Sequence, residues 1–106
     1  MADLLYQAVL ERFTGEEFDE IFDFDGIIPE STTVTSHTVQ VTRKDGTNVT
    51  DTVKVSSSHA TTIVTVTLNT GSEETSYIVK VSVVASDLTP AVRAKLLHVT
   101  DFGAFV

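Results

Sequence analysis

Between residues 60 and 86, apolar and polar positions alternate with a period of two on either side of a short polar turn. Val64, Val66 and Leu68 alternate with Thr65, Thr67 and Asn69. After Gly71-Ser72-Glu73-Glu74-Thr75 the pattern resumes, with Tyr77, Val79, Val81 and Val83 alternating with Ile78, Lys80 and Ser82. Successive side chains of a strand point to opposite faces, so the pattern predicts two strands, each with one buried and one solvated face, joined as an antiparallel hairpin.

The preceding stretch reads in the same way. Residues 32 to 42 predict a strand, but Val34 has the opposite parity from Val39 and Val41, which requires a bulge or bend near Ser36-His37. Arg43-Lys44-Asp45-Gly46 is a turn with Asp-Gly at its tip. Val49, Val53 and Val55 predict a second strand, and Ser56-Ser57-Ser58-His59 a loop before the hairpin.

Both ends read differently. Leu4, Leu5, Ala8, Val9 and Phe13 recur at helical spacing, and Thr14-Gly15 is a stop signal. Thr14 and Glu17 have the spacing of a capping box, which could begin a second short helix with Phe18, Ile21 and Phe22 on one face. Phe22 and Phe24 also alternate, so the segment could turn extended near Asp23. Pro29 forces Ile28 to extended geometry and marks a boundary. The division expected is a helical arm over 1–28 and a β-sandwich domain over 29–106. Near the end, Thr89-Pro90 resembles a helix start, with Val92, Leu96 and Val99 on one face. Leu97 and His98 would equally suit a strand. The favoured reading is a short helix followed by an apolar tail containing Phe102 and Phe105.

Composition narrows the function. The chain has 106 residues, one domain's worth, and no cysteine, so disulfides and thiolate metal sites are excluded. The net charge is −8, and all of it lies in residues 1 to 30, where nine acidic residues face Arg12 alone. Binding to phosphates or anionic lipid needs clustered Lys and Arg, so neither nucleic acid nor a membrane is an expected partner. No run approaches the ~20 apolar residues that span a bilayer, and the N-terminus lacks the pattern of a secretory signal, so synthesis and folding in a cytosol are expected. Acidic and aromatic residues are interleaved over 11 to 30. Either the aromatics are satellite core beneath solvated carboxylates, or they insert into a basic partner surface.

Sites of chemistry are sparse. His37, His59 and His98 are far apart and lack metal-ligand spacing. Asp23-Phe24-Asp25-Gly26 resembles part of a calcium loop, but Ile21 and Thr32 would occupy its first and twelfth positions, which carry essential ligands. Asn48-Val49-Thr50 fits a glycosylation sequon, a match that recurs often by chance. No phosphate loop or nucleophile–base pair is marked, so no cofactor, no metal and no enzymatic activity are expected.

The stretch from Thr32 to Ser86 resembles a family of small tailed-bacteriophage virion proteins with Ig-like β-sandwich domains. The resemblance rests on Thr33-Val34-Thr35-Ser36-His37-Thr38-Val39, on Thr65-Val66-Thr67-Leu68, on the turn at Gly71, and on Thr75-Ser76-Tyr77-Ile78-Val79. It covers about half of the chain. The family's Trp before the first strand is absent, Phe22 and Phe24 occupy that region, and the end after Ser86 reads as helix and tail instead of a final hairpin. The resemblance implies a mainly β fold: a small antiparallel Ig-like β-sandwich, here with an N-terminal helical arm and a possible short C-terminal helix. It implies a virion structural protein, chiefly a capsid decoration or cement protein on the outer head surface. The partners would be capsid or other virion proteins and sister copies in a homo-oligomer or assembly. Leu5, Val9, Phe13, Phe18, Ile21, Phe22, Phe24, Phe102 and Phe105 are the expected partner-binding residues. A head–tail connector or tail component is the alternative within virions. An Ig-like adhesion or carbohydrate-binding module is the alternative outside them, although the predicted loops lack the exposed aromatics it would need.

Overall fold

The computed structural model describes residues 6–71 and 73–100. In chain order its elements are β1 (Tyr6–Phe13), β2 (Glu17–Asp23), β3 (Val34–Arg43), α1 (Thr50–Val53), β4 (Lys54–Ala60), β5 (Ile63–Asn69), β6 (Thr75–Ala85) and β7 (Pro90–Thr100). They form two sheets, one in the order β1-β7-β6-β3 and the other in the order β2-β5-β4. Every pairing is antiparallel except that of β1 with β7, which is parallel.

The inner faces are the alternating apolar positions read from the sequence. Val64, Val66 and Leu68 of β5 meet Tyr77, Val79, Val81 and Val83 of β6 in one core, completed by Val39 and Val41 of β3 and by Leu97 and Val99 of β7. Each such side chain contributes roughly 1.5–3 kcal/mol on leaving water. The bulge expected near Ser36-His37 is a register shift between Val34 and Ser36 in the β3–β6 ladder, and it lets Val34 and Val39 both face inward.

The strands β5 and β6 have the expected extent but not the expected partners. They belong to different sheets, β5 pairing with β2 and β4, and β6 with β3 and β7. Alternation marks a buried face without saying whether the neighbour lies beside it in a ladder or across the core. The linker after Asn69 therefore carries the chain from one sheet to the other. The strand expected over Val49 to Val55 is the short helix α1 followed by the start of β4, and the expected Ser-rich loop is β4 itself.

The helical arm is replaced by two strands. Along β2 the odd positions Glu17, Asp19, Ile21 and Asp23 are exposed, while Phe18, Glu20 and Phe22 turn inward. This is period-two patterning, and the helical spacing of Phe18, Ile21 and Phe22 was coincidental. Thr14 and Glu17 form no capping box; Thr14-Gly15 is the tight connection between β1 and β2, with Gly15 at φ +83°. The buried Thr70 anchors this connection, its hydroxyl donating to the Phe13 carbonyl (2.8 Å) and accepting from the Glu16 amide (2.9 Å). Both β1 and β2 are integral to the sheets, so the boundary expected at residue 28 falls inside the sandwich. The C-terminal helix is likewise replaced, by β7, whose Leu97 and Val99 complete the core.

Candidate interaction surface

The two outer faces of the sandwich differ sharply. On the four-stranded sheet, register places Val9 of β1 beside Leu96 of β7, and Leu96 beside Ile78 of β6. These three side chains form an apolar row across the sheet, because directly paired residues share a face. Val92, four residues before Leu96 on the same strand, extends the apolar surface along β7. Val9 is 59% exposed and Val92 55%. Leu96 and Ile78 are half-buried. Lys80 and Glu11 flank the row on the same face, and His98, paired with Ser76 across β6–β7, joins it through Nδ1 to the Ser76 hydroxyl at 2.8 Å. A shallow recess of about 470 Å³ at the end of β1 is lined by Glu11, Arg12, Phe13, His98 and Thr100.

The outer face of the three-stranded sheet is acidic and hydroxyl-rich. Glu17, Asp19 and Asp23 project from β2 beside Asn69, Thr67 and Ile63 of β5, and the Thr67 hydroxyl donates to the Asp19 carboxylate at 2.6 Å. Ile21 is the apolar exception on that strand, 53% exposed. Three of the nine carboxylates of the first thirty residues thus lie on this outer face, with Glu11 on the opposite face and Glu20 turned inward, and the apolar row lies on the four-stranded sheet.

The expected partner-binding residues divide into four groups. Val9, Phe13 and Ile21 are exposed. Phe18 is half-buried, packed against the core, with the Arg12 guanidinium 4.4 Å from its ring centroid. Phe22 and Phe24 are fully buried and cannot reach a partner from the folded domain; they are core because their positions alternate with the exposed carboxylates. Leu5, Phe102 and Phe105 lie outside the described residues. The sequence reading missed Val92, Leu96 and Ile78. Their signal was apolar residues at the solvated parity of a strand, but Val92 and Leu96 had been assigned to a helix.

The structure brings together two histidines that are distant in sequence. His37 Nδ1 lies 2.6 Å from His59 Nδ1, and His37 Nε2 lies 2.9 Å from the Ser57 hydroxyl. Burial, then the nearby His59 and Lys54, hold the His37 imidazole below its usual pKa. Asp23 and Asp25, the calcium-loop fragment, form an Asx turn in which the Asp23 carboxylate accepts from the Asp25 amide at 2.9 Å. The sequon asparagine, Asn48, accepts from the Thr50 amide and hydroxyl in a similar turn.

No family model matches this chain, and no curated protein matches it. Among solved structures it is similar to titin M4 in its trigonal form, with 12% sequence identity, a TM-score of 0.58 and 92% of each chain covered. At that identity the likeness concerns the fold, an Ig-like β-sandwich.

Proposed function

We propose that this chain is a structural subunit of a tailed-phage virion, a decoration or cement protein that lies on the outer capsid surface. The sequence resemblance supplies the kind of assembly, and the asymmetry between the two outer faces supplies the binding mode. The observation that carries the reading is the row Val9–Leu96–Ile78, with Val92 beside it, on the outer face of the four-stranded sheet. Contiguous exposed apolar surface costs free energy in water and marks a place where another protein covers it. A subunit seated through this face would turn its acidic face toward solvent. There the carboxylates keep neighbouring copies soluble and repel further layers.

The surface is the outer face of a sheet with a shallow recess at one end, suited to another protein surface more than to a small molecule enclosed on all sides. A connector or tail position would use the same face and would differ by location in the particle. The test is to purify virions, identify the polypeptide in them by mass spectrometry, and locate it by immunogold labelling. Label over the head supports the reading, label at the neck or tail moves the protein to the alternative position, and absence from particles overturns it.

A further inference from the structure

We propose that His37 and His59 form a two-histidine site for a divalent transition cation of the zinc, nickel and copper class, which would clip the two sheets together along one margin. The placement follows from register. His37 pairs with Val83, and His59 and Ser57 pair with Val64 and Val66, all of them core valines, so all three polar residues lie on inner faces. They meet where β3 and β4, edge strands of the two sheets, approach each other. Inward-facing apolar residues would be the ordinary choice at these positions; this margin carries two imidazoles and a hydroxyl instead.

The geometry points to ligation. The two Nδ1 atoms are 2.6 Å apart and the rings are edge-on at 83°. When His37 Nε2–H donates to the Ser57 hydroxyl, Nδ1 of His37 is left as a bare lone pair aimed at His59. One nitrogen held by a hydrogen bond while the other ligates is the usual arrangement of metal-binding histidines. Zinc–nitrogen bonds of about 2.0–2.1 Å at a tetrahedral angle place two ligand nitrogens roughly 3.3 Å apart. A small rotation of the exposed His59 ring supplies the difference. On binding, His59 exchanges its ring proton from Nδ1 to its solvent-facing Nε2 through water, so both rings stay neutral and both Nδ1 lone pairs go to the cation. Among the described residues no third His, Cys, Asp or Glu joins the pair, so water fills the remaining positions. Imidazole donors favour zinc, copper and nickel over calcium and magnesium.

The clip would join strands from different sheets in a chain without cysteine, closing the loop between residues 37 and 59. Cation binding to the folded state would stabilise it by mass action. The site is independent of the proposed virion role.

The test uses the whole chain in a non-coordinating buffer at neutral pH. Calorimetric titration with ZnCl₂ is expected to show one saturable site, lost in His59→Gln and kept in His98→Gln. At free zinc about tenfold above Kd, the thermal midpoint should rise by about 5 °C, and EDTA should reverse the rise. As a check that needs no variant, zinc should shift the imidazole nitrogen resonances of His37 and His59 in the NMR spectrum of the native protein and leave those of His98 in place. No saturable binding, binding kept in His59→Gln, or resonance shifts confined to His98 would each overturn the proposal.

Discussion

Lys95, in the middle of β7, sends its ammonium through the sandwich interior to the carboxylate of Glu20 on β2. The same nitrogen donates to the Ile21 carbonyl at 2.7 Å and lies 4.6 Å from the Phe22 ring centroid. Lys95 is only 6% exposed. The four-stranded and three-stranded sheets are therefore joined at this margin by a shielded charge pair, where the opposite margin holds the His37–His59 contact. Both members occupy the inward parity of their strands, among valines and phenylalanines.

Removing one partner should cost far more than removing both. Lys95→Ala leaves the Glu20 carboxylate beside the core without its cation and is expected to destabilise the domain by about 3–5 kcal/mol. The double substitution Lys95→Met with Glu20→Leu fills the same space with apolar atoms and should recover most of that loss. Urea denaturation of the single and double variants measures both. Equal destabilisation in Lys95→Ala and the double variant would show that the charge pair is not what the interior depends on.

Phe22 and Ile21 are neighbours with opposite duties. Phe22→Ala opens a cavity in the core and should cost about 3–5 kcal/mol, enough to unfold much of a domain this size. Ile21→Ala removes an exposed side chain and should change stability by no more than about 0.5 kcal/mol. Thermal melts of the two variants compare them directly. A binding defect in Phe22→Ala would report lost folding, so contact with a partner must be probed elsewhere.

The histidine margin should make stability depend on pH. Because burial, then the nearby His59 and Lys54, lower the folded pKa of His37, the unfolded chain takes up a proton more readily than the folded one. The unfolded value is about 6.5, so the stability associated with a neutral His37 is fully present above that pH. It declines as pH falls from there toward the lower folded value. In EDTA, the urea midpoint should therefore drop between about pH 7 and pH 5. His37→Gln should flatten that drop, and an identical profile in the variant would contradict the assignment.

The strands of the core were legible because β5 and β6 alternate cleanly and because the parity switch between Val34 and Val39 can only be absorbed by a bulge. Their pairing was not, since a residue facing the core looks the same whether its strand's neighbour is beside it or across the sandwich. β2 was misread because Phe18, Ile21 and Phe22 satisfy helical spacing by accident, while the alternating carboxylates carried the better signal. β4 reads as a loop because an edge strand has little apolar face to show; its residues paired with core positions of β5 are Lys54, Ser57 and His59. The same gap hid the histidine pair, since contact across 22 residues exists only once two different sheets are stacked. For the binding surface, Val9 is named by the sequence only as part of a helical apolar stripe, and its companions on β6 and β7 become visible only with the register.

The claim that the outer face of the four-stranded sheet binds the virion is tested most directly by charging each face in turn. Val9→Asp with Val92→Asp places two carboxylates on the apolar face, and Ile21→Asp places one on the acidic face; all three positions are exposed, so the fold should survive in both variants. Binding to purified virions depleted of this protein would be measured by co-sedimentation, with circular dichroism confirming folding. Seating through this face requires at least a tenfold loss of affinity, about 1.4 kcal/mol, for the Val9/Val92 variant and native binding for Ile21→Asp. Native binding by the folded Val9/Val92 variant, or loss confined to Ile21→Asp, would contradict it.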